Sequence, residues 1–260
     1  MELIVSIEYQ TSGIVLSRND HREADRMYSV FTRNHGRREL LARGSRKIRA
    51  KVAPHLESFA ELDLLVVIGR RGEILAGAER GETFTGITGC FVSCILAQRS
   101  LNLVNLATDR GQKDAELYDE IVRWMRFLNN MGEISPLRAD LLFSAFALKL
   151  LALLGWGPHF SNCIVCKNRV EPGSGLMHVQ KGGLVCRSCH ESDQQNWLAA
   201  LSINDDELKL LRFAISKNYE DCMKLRLDSI IVSKCARIAQ SFFNSHIPLK
   251  NPIALLSDFG

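Results

Sequence analysis

The chain has 260 residues, of which 46% are hydrophobic and 24% are charged, and its formal net charge is +4. These proportions exclude a disordered chain and predict a globular protein of one large domain or of two to three small ones. The N-terminal residues show no signal peptide, and the most apolar stretch, residues 141–154, is too short to cross a bilayer, so we expect a cytoplasmic protein with no membrane partner.

The first 80 or so residues contain short runs rich in valine, isoleucine and leucine, separated by glycine and asparagine, which is typical of strands. Residues 21–32 instead have the spacing of a short helix or an irregular connection. Turns are expected at residues 34–36 and at the glycine of the hairpin, Gly72. Five or so short strands suggest a small barrel, and the OB-fold is one such barrel that often binds oligonucleotides. The strands read directly from the sequence are residues 12–18, 37–45, 61–69 and 73–79.

A dense group of basic side chains lies within residues 33–51. The segment has one acid, Glu39, and a net charge of +7, so the rest of the chain sums to −3. Arginine can hold a phosphate through two hydrogen bonds, and cationic grooves follow the backbone of nucleic acids. The alternative is a solvated surface, and few aromatic side chains lie nearby to stack on bases. We predict nucleic-acid binding by the eight basic residues of the segment: Arg33, Arg37, Arg38, Arg43, Arg46, Lys47, Arg49 and Lys51.

From about residue 88 the apolar period changes from two towards 3.6, which indicates helices. One of them has a complete set of end signals, because Ser135 is a candidate N-cap, Pro136 takes the first helical position and Gly155 follows the last turn. Asn204 is a candidate N-cap of a later helix. The predicted helices are residues 90–108, 114–131, 136–155, 204–216 and 228–246.

Four of the eight cysteines form two C-x2-C pairs, Cys163 with Cys166 and Cys186 with Cys189, separated by nineteen residues. In a reducing compartment this spacing is typical of a zinc site built from two tight turns. Because four thiolates leave no position open for water, we expect one structural zinc ion. The alternatives are four unrelated buried cysteines, c-type haem attachment at residues 186–190, and a thioredoxin-like redox pair.

The remaining cysteines and two histidines are given simpler interpretations. His178 and His190 can each replace a thiolate, but exposed positions in the cysteine region are the simpler expectation. The other four cysteines lie in helical patterns and are interpreted as core thiols: Cys90, Cys94, Cys222 and Cys235.

Residues 13–51, followed by the hairpin and the two cysteine pairs, resemble the RecO family of recombination mediators. The resemblance implies an α+β multidomain protein with an OB-fold barrel, a helical domain and an inserted four-cysteine zinc module. We assign residues 1–82 to the barrel, 83–158 and 192–260 to the helical domain, and 159–191 to the module. Residues 55–59 depart from the family pattern. The family's DNA-contacting positions fall on Gly36, Arg37, Ala42, Arg43, Gly44, Ser45, Arg46 and Lys47.

The resemblance also implies a function. Members of the family bind single-stranded and double-stranded DNA, anneal complementary strands and act with RecR to load RecA onto strands coated by single-strand-binding protein. The acidic tail of that protein is expected to dock on the helical domain. The sequence has none of the common catalytic motifs, so we expect no enzymatic activity, with a metal nuclease as the catalytic alternative. Two non-catalytic functions also fit the sequence: an RNA-binding or transcription-associated barrel with a zinc ribbon, and an adaptor that binds only proteins.

Overall fold

The computed structural model describes residues 7–46, 56, 59–171, 173 and 175–248. The chain forms two compact units, Met1–Glu133 and Ile134–Gly260. The first contains the barrel and the helices that directly follow it, and the second contains the other helices and the cysteine region. The three-part division expected from the sequence stays a prediction.

Five strands form a closed barrel in the first unit, as the sequence predicts. They are β1 (Glu8–His21), β2 (Asp25–Thr32), β3 (Gly36–Ala42), β4 (Ala60–Gly69) and β5 (Gly72–Thr83). The order around the barrel is β1-β2-β3-β5-β4, and all pairs are antiparallel except the short parallel pair of β3 with β5. Alternate side chains, among them Leu40, Leu64 and Val66, point inwards and are fully or almost fully buried.

The expectation of a helix or irregular connection at residues 21–32 is wrong, because most of that segment is β2. Its charged residues belong to the turn around Arg22, which has a φ of 62°, and to the start of the strand. The second half of β2 is buried on both faces, so its apolar residues do not alternate with polar ones. This double burial hides the period of two that identifies a strand.

Both predicted turns are present and both depend on glycine. Gly36 has a φ of 65°, and a Cβ at this position would lie 2.0 Å from the carbonyl oxygen of Gln112. Gly72 has a φ of 127° and follows the two-residue tip of the β4–β5 hairpin. A side chain at Gly36 would therefore meet both strain and a backbone clash.

Three helices complete the first unit: α1 (Thr85–Gly89), α2 (Phe91–Ala107) and α3 (Ala115–Asn130). Asn105 ties α2 to the outer surface of the barrel, since its side-chain oxygen accepts hydrogen bonds from Ser29 (2.7 Å) and Arg37 (3.1 Å). Tyr118 of α3 donates a 2.7 Å hydrogen bond to Glu61 of β4. These polar contacts fix the two helices against the strands.

The second unit has a helical core. Its helices are α4 (Pro136–Leu153), α5 (Arg187–Ser192), α6 (Asp205–Ser216), α7 (Tyr219–Met223) and α8 (Ser229–His246). The long α4 packs against α6 and α8. Its predicted end signals are confirmed, because Ser135 accepts from Arg138 N and Gly155 has a φ of 82°. Asn204 forms a capping box with Glu207, also as expected.

A small sheet of order β7-β6-β8 joins these helices, with strands β6 (Gly175–His178), β7 (Gly183–Cys186) and β8 (Leu201–Ser202). Backbone hydrogen bonds tie β7 to the segment before the first cysteine pair, from His159 N to Gly182 O and from Leu184 N to His159 O. Within the described ranges, no helix is both long enough and apolar enough to span a membrane.

Candidate nucleic-acid groove and metal centre

A groove of about 680 Å³ lies on the outer surface of the barrel, over β2, β3 and β5. Its floor is a row of three apolar side chains, Met27, Leu41 and Ile74. The register places Met27 opposite Leu41 and Leu41 opposite Ile74, so the three side chains lie next to one another across three strands. We call these three residues the apolar floor.

Five arginines line the edges of this groove, which we call the arginine groove. Arg22 comes from the β1–β2 turn, and Arg43 comes from the turn directly after β3. Arg70 and Arg71 form the tip of the β4–β5 hairpin, and Arg110 lies in the α2–α3 connection. All five side chains are exposed. In OB-folds, the strand 2–3 face and the loops between strands 1 and 2 and between strands 4 and 5 bind oligonucleotides, and the arginine groove lies in that position.

Three carboxylates also line the arginine groove, and each has a partner. Asp25 accepts a 2.7 Å hydrogen bond from Gly44 N and so holds the turn that follows β3. Glu73 accepts a 3.0 Å hydrogen bond from the Tyr9 hydroxyl. Glu39 pairs with Arg110 at 3.7 Å. The groove therefore has an excess of positive charge, with its acids engaged by neighbouring groups.

The predicted DNA-binding residues are spread over different surroundings. Arg43 lies in the arginine groove, and Arg46 is exposed at 3.4 Å from Asp20. Arg33 pairs with Asp119 at 3.0 Å, and Arg38 lies 3.6 Å from Glu73. Lys47, Arg49 and Lys51 lie outside the described residues.

Arg37 is the most enclosed of the predicted residues. Its Nη1 donates to the backbone oxygen of Asn105 at 2.8 Å and to the side-chain oxygen of the same residue at 3.1 Å. Its own backbone oxygen accepts from Gly111 N at 3.0 Å. Arg37 therefore joins β3 to α2 and to the connection that carries Arg110.

The sequence did not identify four of the five arginines of the groove: Arg22, Arg70, Arg71 and Arg110. They lie far apart in the chain, outside the basic segment. Arg70 and Arg71 lie at the tip of a hairpin that the sequence does predict. Two adjacent arginines in a predicted turn were therefore the sequence signal that could have identified them. The nearby aromatic residues add little stacking surface, since Tyr28 and Phe31 are buried in the core. The centroid of the Tyr9 ring lies 4.2 Å from that of the His35 ring. Burial is the main cause that raises the pKa of Tyr9, and the hydrogen bond to Glu73 is the second.

The four predicted cysteine ligands meet at one point in the second unit. The first pair lies on a tight turn, in which Cys163 N donates to Asn168 O and Lys167 adopts a φ of 64°. Cys186 ends β7, and Cys189 lies in the first turn of α5. Two separate turns therefore each present a pair of sulfurs, as the spacing predicts.

The positions of the sulfur atoms fit a tetrahedral metal ion. All four Sγ atoms lie within 4.8 Å of one another, and those of Cys166 and Cys186 are 3.8 Å apart. A zinc–sulfur bond of about 2.3 Å implies sulfur–sulfur distances of about 3.8 Å in a tetrahedron. The cluster is thus close enough to bind a metal ion, and four thiolates are the donor set that zinc prefers in structural sites.

The pKa values of two thiols in the cluster shift in opposite directions. Burial raises the pKa of Cys163, but backbone N–H groups of Cys186, Cys166 and Val165 outweigh it and lower this pKa to about 6. Hydrogen bonding to Cys186 and then burial raise the pKa of Cys189 to about 12. Four crowded thiolates repel one another, so a divalent cation is needed for all four to ionise together.

Two expectations about the other ligand-type residues are wrong. His178, at the end of β6, is buried, with 4% of its surface exposed, because its ring packs edge-on against Trp197, which follows α5 in the chain. Cys222 and Cys235 are core thiols as expected, but Cys90 and Cys94 are only half-buried, because they lie at the start of α2. Among the described residues, the four-cysteine cluster is the only group of at least three histidine, cysteine or carboxylate side chains placed to hold a metal.

Comparison with known proteins identifies the family. A family model described as "Recombination protein O N terminal" matches residues 5–85, and one described as "Recombination protein O C terminal" matches residues 91–252. The chain belongs to the RecO family. The two RecO models meet at α1, between the barrel and α2.

Individual RecO proteins match nearly the whole chain. The DNA repair protein RecO of Alkaliphilus metalliredigens (strain QYMF) is 24% identical over 242 residues, 93% of this chain and 95% of that protein. The DNA repair protein RecO of Roseiflexus sp. (strain RS-1) is 26% identical over 252 residues, 96% of this chain and 85% of that protein. The DNA repair protein RecO of Clostridium perfringens (strain 13 / Type A) is 23% identical over 246 residues, 95% of each chain.

Proposed function

We propose that this RecO-family protein is a DNA repair and recombination mediator without enzymatic activity. It binds single-stranded and double-stranded DNA, anneals complementary strands and helps to load RecA onto strands coated by single-strand-binding protein, acting with RecR in the cytoplasm at the nucleoid. The observation that supports this proposal is the arginine groove, which stands where OB-folds bind oligonucleotides.

The physical basis is the release of counterions. Each arginine that neutralises a phosphate displaces a condensed cation, and this entropy gain drives binding that is independent of sequence. Within the described part of the chain, Arg22, Arg43, Arg70 and Arg71 make no ion pair, so their charges are available to a ligand. Annealing benefits from the same charges because they reduce the repulsion between two approaching strands.

The basic segment has two roles in this proposal. Arg43 and Arg46 contact phosphate, and Lys47, Arg49 and Lys51, which lie outside the described residues, stay DNA-binding residues predicted from the sequence. Arg33, Arg37 and Arg38 act mainly through their neighbours, because they bind Asp119, Asn105 and Glu73. They keep β3 and the helices in the position that the groove requires.

The cysteine cluster holds one structural zinc ion in this proposal. Cys163, Cys166, Cys186 and Cys189 fit the ion in number, chemistry and spacing. The ion neutralises the crowded thiolates and links the two turns that carry them. It has no part in a reaction.

The acidic tail of single-strand-binding protein docks in the second unit. A groove of about 340 Å³ between α6 and the start of α8 is lined by apolar side chains, including Phe213, Leu227 and Ile231. Two cations and two carboxylates also line it: Lys209 pairs with Asp206, and Asp228 accepts from the first backbone N–H groups of α8. No ion pair of Arg226 is found among the described residues. An apolar floor beside a cation suits a peptide that carries both acidic and apolar residues.

Strand annealing tests both parts of the proposal. Arg70→Gln with Arg71→Gln should slow the annealing of bare and of coated strands by about tenfold, because two phosphate contacts are lost. Arg226→Glu should slow only the annealing of strands coated by single-strand-binding protein. The matched control is Arg123→Gln with Arg126→Gln on α3, outside the arginine groove, and should have no effect.

The same experiment separates the competing functions. Wild-type rates in the groove variant would exclude the arginine groove as the DNA site. Selective binding of single-stranded RNA over DNA of the same sequence would favour an RNA-binding protein, since such selectivity requires contacts to the 2′-hydroxyl. Cleavage of labelled DNA in the presence of magnesium or manganese would contradict the non-enzymatic assignment.

A further inference from the structure

Glu39 differs from the other two acids of the arginine groove, because its partner is an exposed arginine, whereas Asp25 and Glu73 accept hydrogen bonds from Gly44 N and the Tyr9 hydroxyl. Glu39 lies on the outer face of β3. Arg37 and Leu41 point to the same face, because each is two residues from Glu39 along the strand. Asn105 of α2 covers this face of β3 at Arg37. At Leu41 the same face is open and forms part of the arginine groove. The Glu39 side chain is 19% exposed and pairs through Oε1 with Arg110 at 3.7 Å.

The floor and the edges of the arginine groove suit different parts of a nucleotide. A phosphate laid on the floor would meet the Glu39 carboxylate and would lose its hydration against Met27, Leu41 and Ile74. A base laid on the floor covers apolar surface, while its phosphate reaches the exposed arginines at the edges. With the base on the apolar floor and the phosphate at the arginines, each part of the nucleotide meets a favourable surface. This arrangement requires bases that are not paired with a second strand.

We propose that the arginine groove holds a single strand with its bases turned onto the apolar floor, and that Glu39 is a specificity-determining residue that accepts a hydrogen bond from a base amino group. This inference rests on the proposed function and adds how the same site distinguishes one base from another. A carboxylate only accepts hydrogen bonds, and cytosine offers an amino group where thymine offers a carbonyl oxygen. The two pyrimidines have the same ring, so they form a matched pair of probes.

The structure leaves Glu39 able to make this contact. Its only described partner is Arg110, whose side chain is 69% exposed, so the ion pair is weak and leaves lone pairs on the carboxylate. In the described residues no hydrogen bond engages Oε2. Arg110 holds the carboxylate towards the groove while its own guanidinium remains within reach of a phosphate.

The test measures the affinity of short oligo(dC) and oligo(dT) of equal length, at fixed salt and at a mildly alkaline pH where cytosine carries no extra proton. Wild-type protein should bind oligo(dC) roughly three- to tenfold more tightly, the size expected for the net contribution of one hydrogen bond. Glu39→Gln should bring the ratio close to one, because an amide can also donate to the thymine oxygen. Glu79→Gln, which removes the same charge elsewhere on the barrel, should leave the ratio unchanged.

A second variant separates the floor from the edges. Leu41→Ala should weaken the binding of both oligonucleotides without changing the salt dependence, whereas Arg70→Gln with Arg71→Gln should reduce the salt dependence. Thermal melting checks that each variant is folded.

Two results would overturn the inference. One is an equal rise in the affinity of Glu39→Gln for both oligonucleotides, because an unchanged ratio places phosphate and not a base against the carboxylate. The other is equal affinity of the wild-type protein for oligo(dC) and oligo(dT), while Arg70→Gln with Arg71→Gln still weakens binding. That result would exclude the base contact but would agree with the proposed function. If the arginine variant keeps full affinity, the proposed site itself fails.

Discussion

His178 shows how one buried residue links the cysteine region to pH. Its ring lies 5.6 Å from the Trp197 ring, and its Nδ1 accepts a 3.2 Å hydrogen bond from Lys181 N. The Lys181 ammonium lies over the same Trp197 ring at 4.0 Å. Burial, and then the charge of Lys181, lower the pKa of His178 below its usual 6.5. The folded protein therefore favours the neutral ring.

We expect His178 to make the protein less stable in acid. The unfolded chain binds the proton more readily, so the contribution of His178 is complete above about pH 6.5 and is lost as the pH falls through the lower folded-state pKa. His178→Asn keeps an acceptor but does not titrate. Denaturant unfolding at about pH 7.5 and about pH 5.5 should show a smaller loss of stability in this variant than in wild type. Identical losses in the two proteins would contradict the assignment.

At the scale of elements, the cysteine region combines two turns and a small sheet. The turn of Cys163 and the β6–β7 hairpin are joined by short backbone hydrogen bonds, such as Ile164 N to Leu184 O at 2.8 Å. Met177, Leu184 and Val185 are buried there, but such small elements enclose little apolar surface, so we expect their stability to depend also on the shared ligands. Metal binding and folding of this region should therefore be coupled.

Removal of the metal is expected to destabilise the protein. One zinc ion per chain should be found by metal analysis, and Cys186→Ser or a strong chelator should lower Tm by about 6–12 °C, which corresponds to a loss of about 3 kcal/mol. Cys94→Ser provides the control, since Cys94 lies outside the cluster. Purified protein without zinc, or an unchanged Tm after chelation, would show that the cluster is not a structural metal site.

The elements with local signals are predictable from the sequence, and so is the cluster of four cysteines. The caps Ser135 and Asn204 and the turn glycine Gly72 each act on residues a few positions away, and all three are confirmed. The spacing of the cysteine pairs likewise predicts the four cysteines that cluster closely enough to bind a metal ion. By contrast, β2 is missed because both its faces are buried in its second half. Burial of that kind depends on α2, which lies far along the chain.

At the scale of the whole molecule, the arginine groove is an arrangement that no single segment encodes. The β1–β2 turn, the turn directly after β3, the β4–β5 hairpin and the α2–α3 connection each contribute arginine. Only the register of β2, β3 and β5 brings them around the apolar floor. The sequence identifies the basic segment that contributes Arg43, but the other four arginines become visible as a group only in the fold.

We propose that these guanidinium groups bind DNA by neutralising its backbone. The most direct test is the affinity for a single-stranded oligonucleotide of mixed sequence across a salt series. If five arginines contact phosphate, log K should fall against log[salt] with a slope of about −3.5, and Arg70→Gln with Arg71→Gln should reduce it to about −2.1. An affinity that is absent, or that does not change with salt, would contradict the claim.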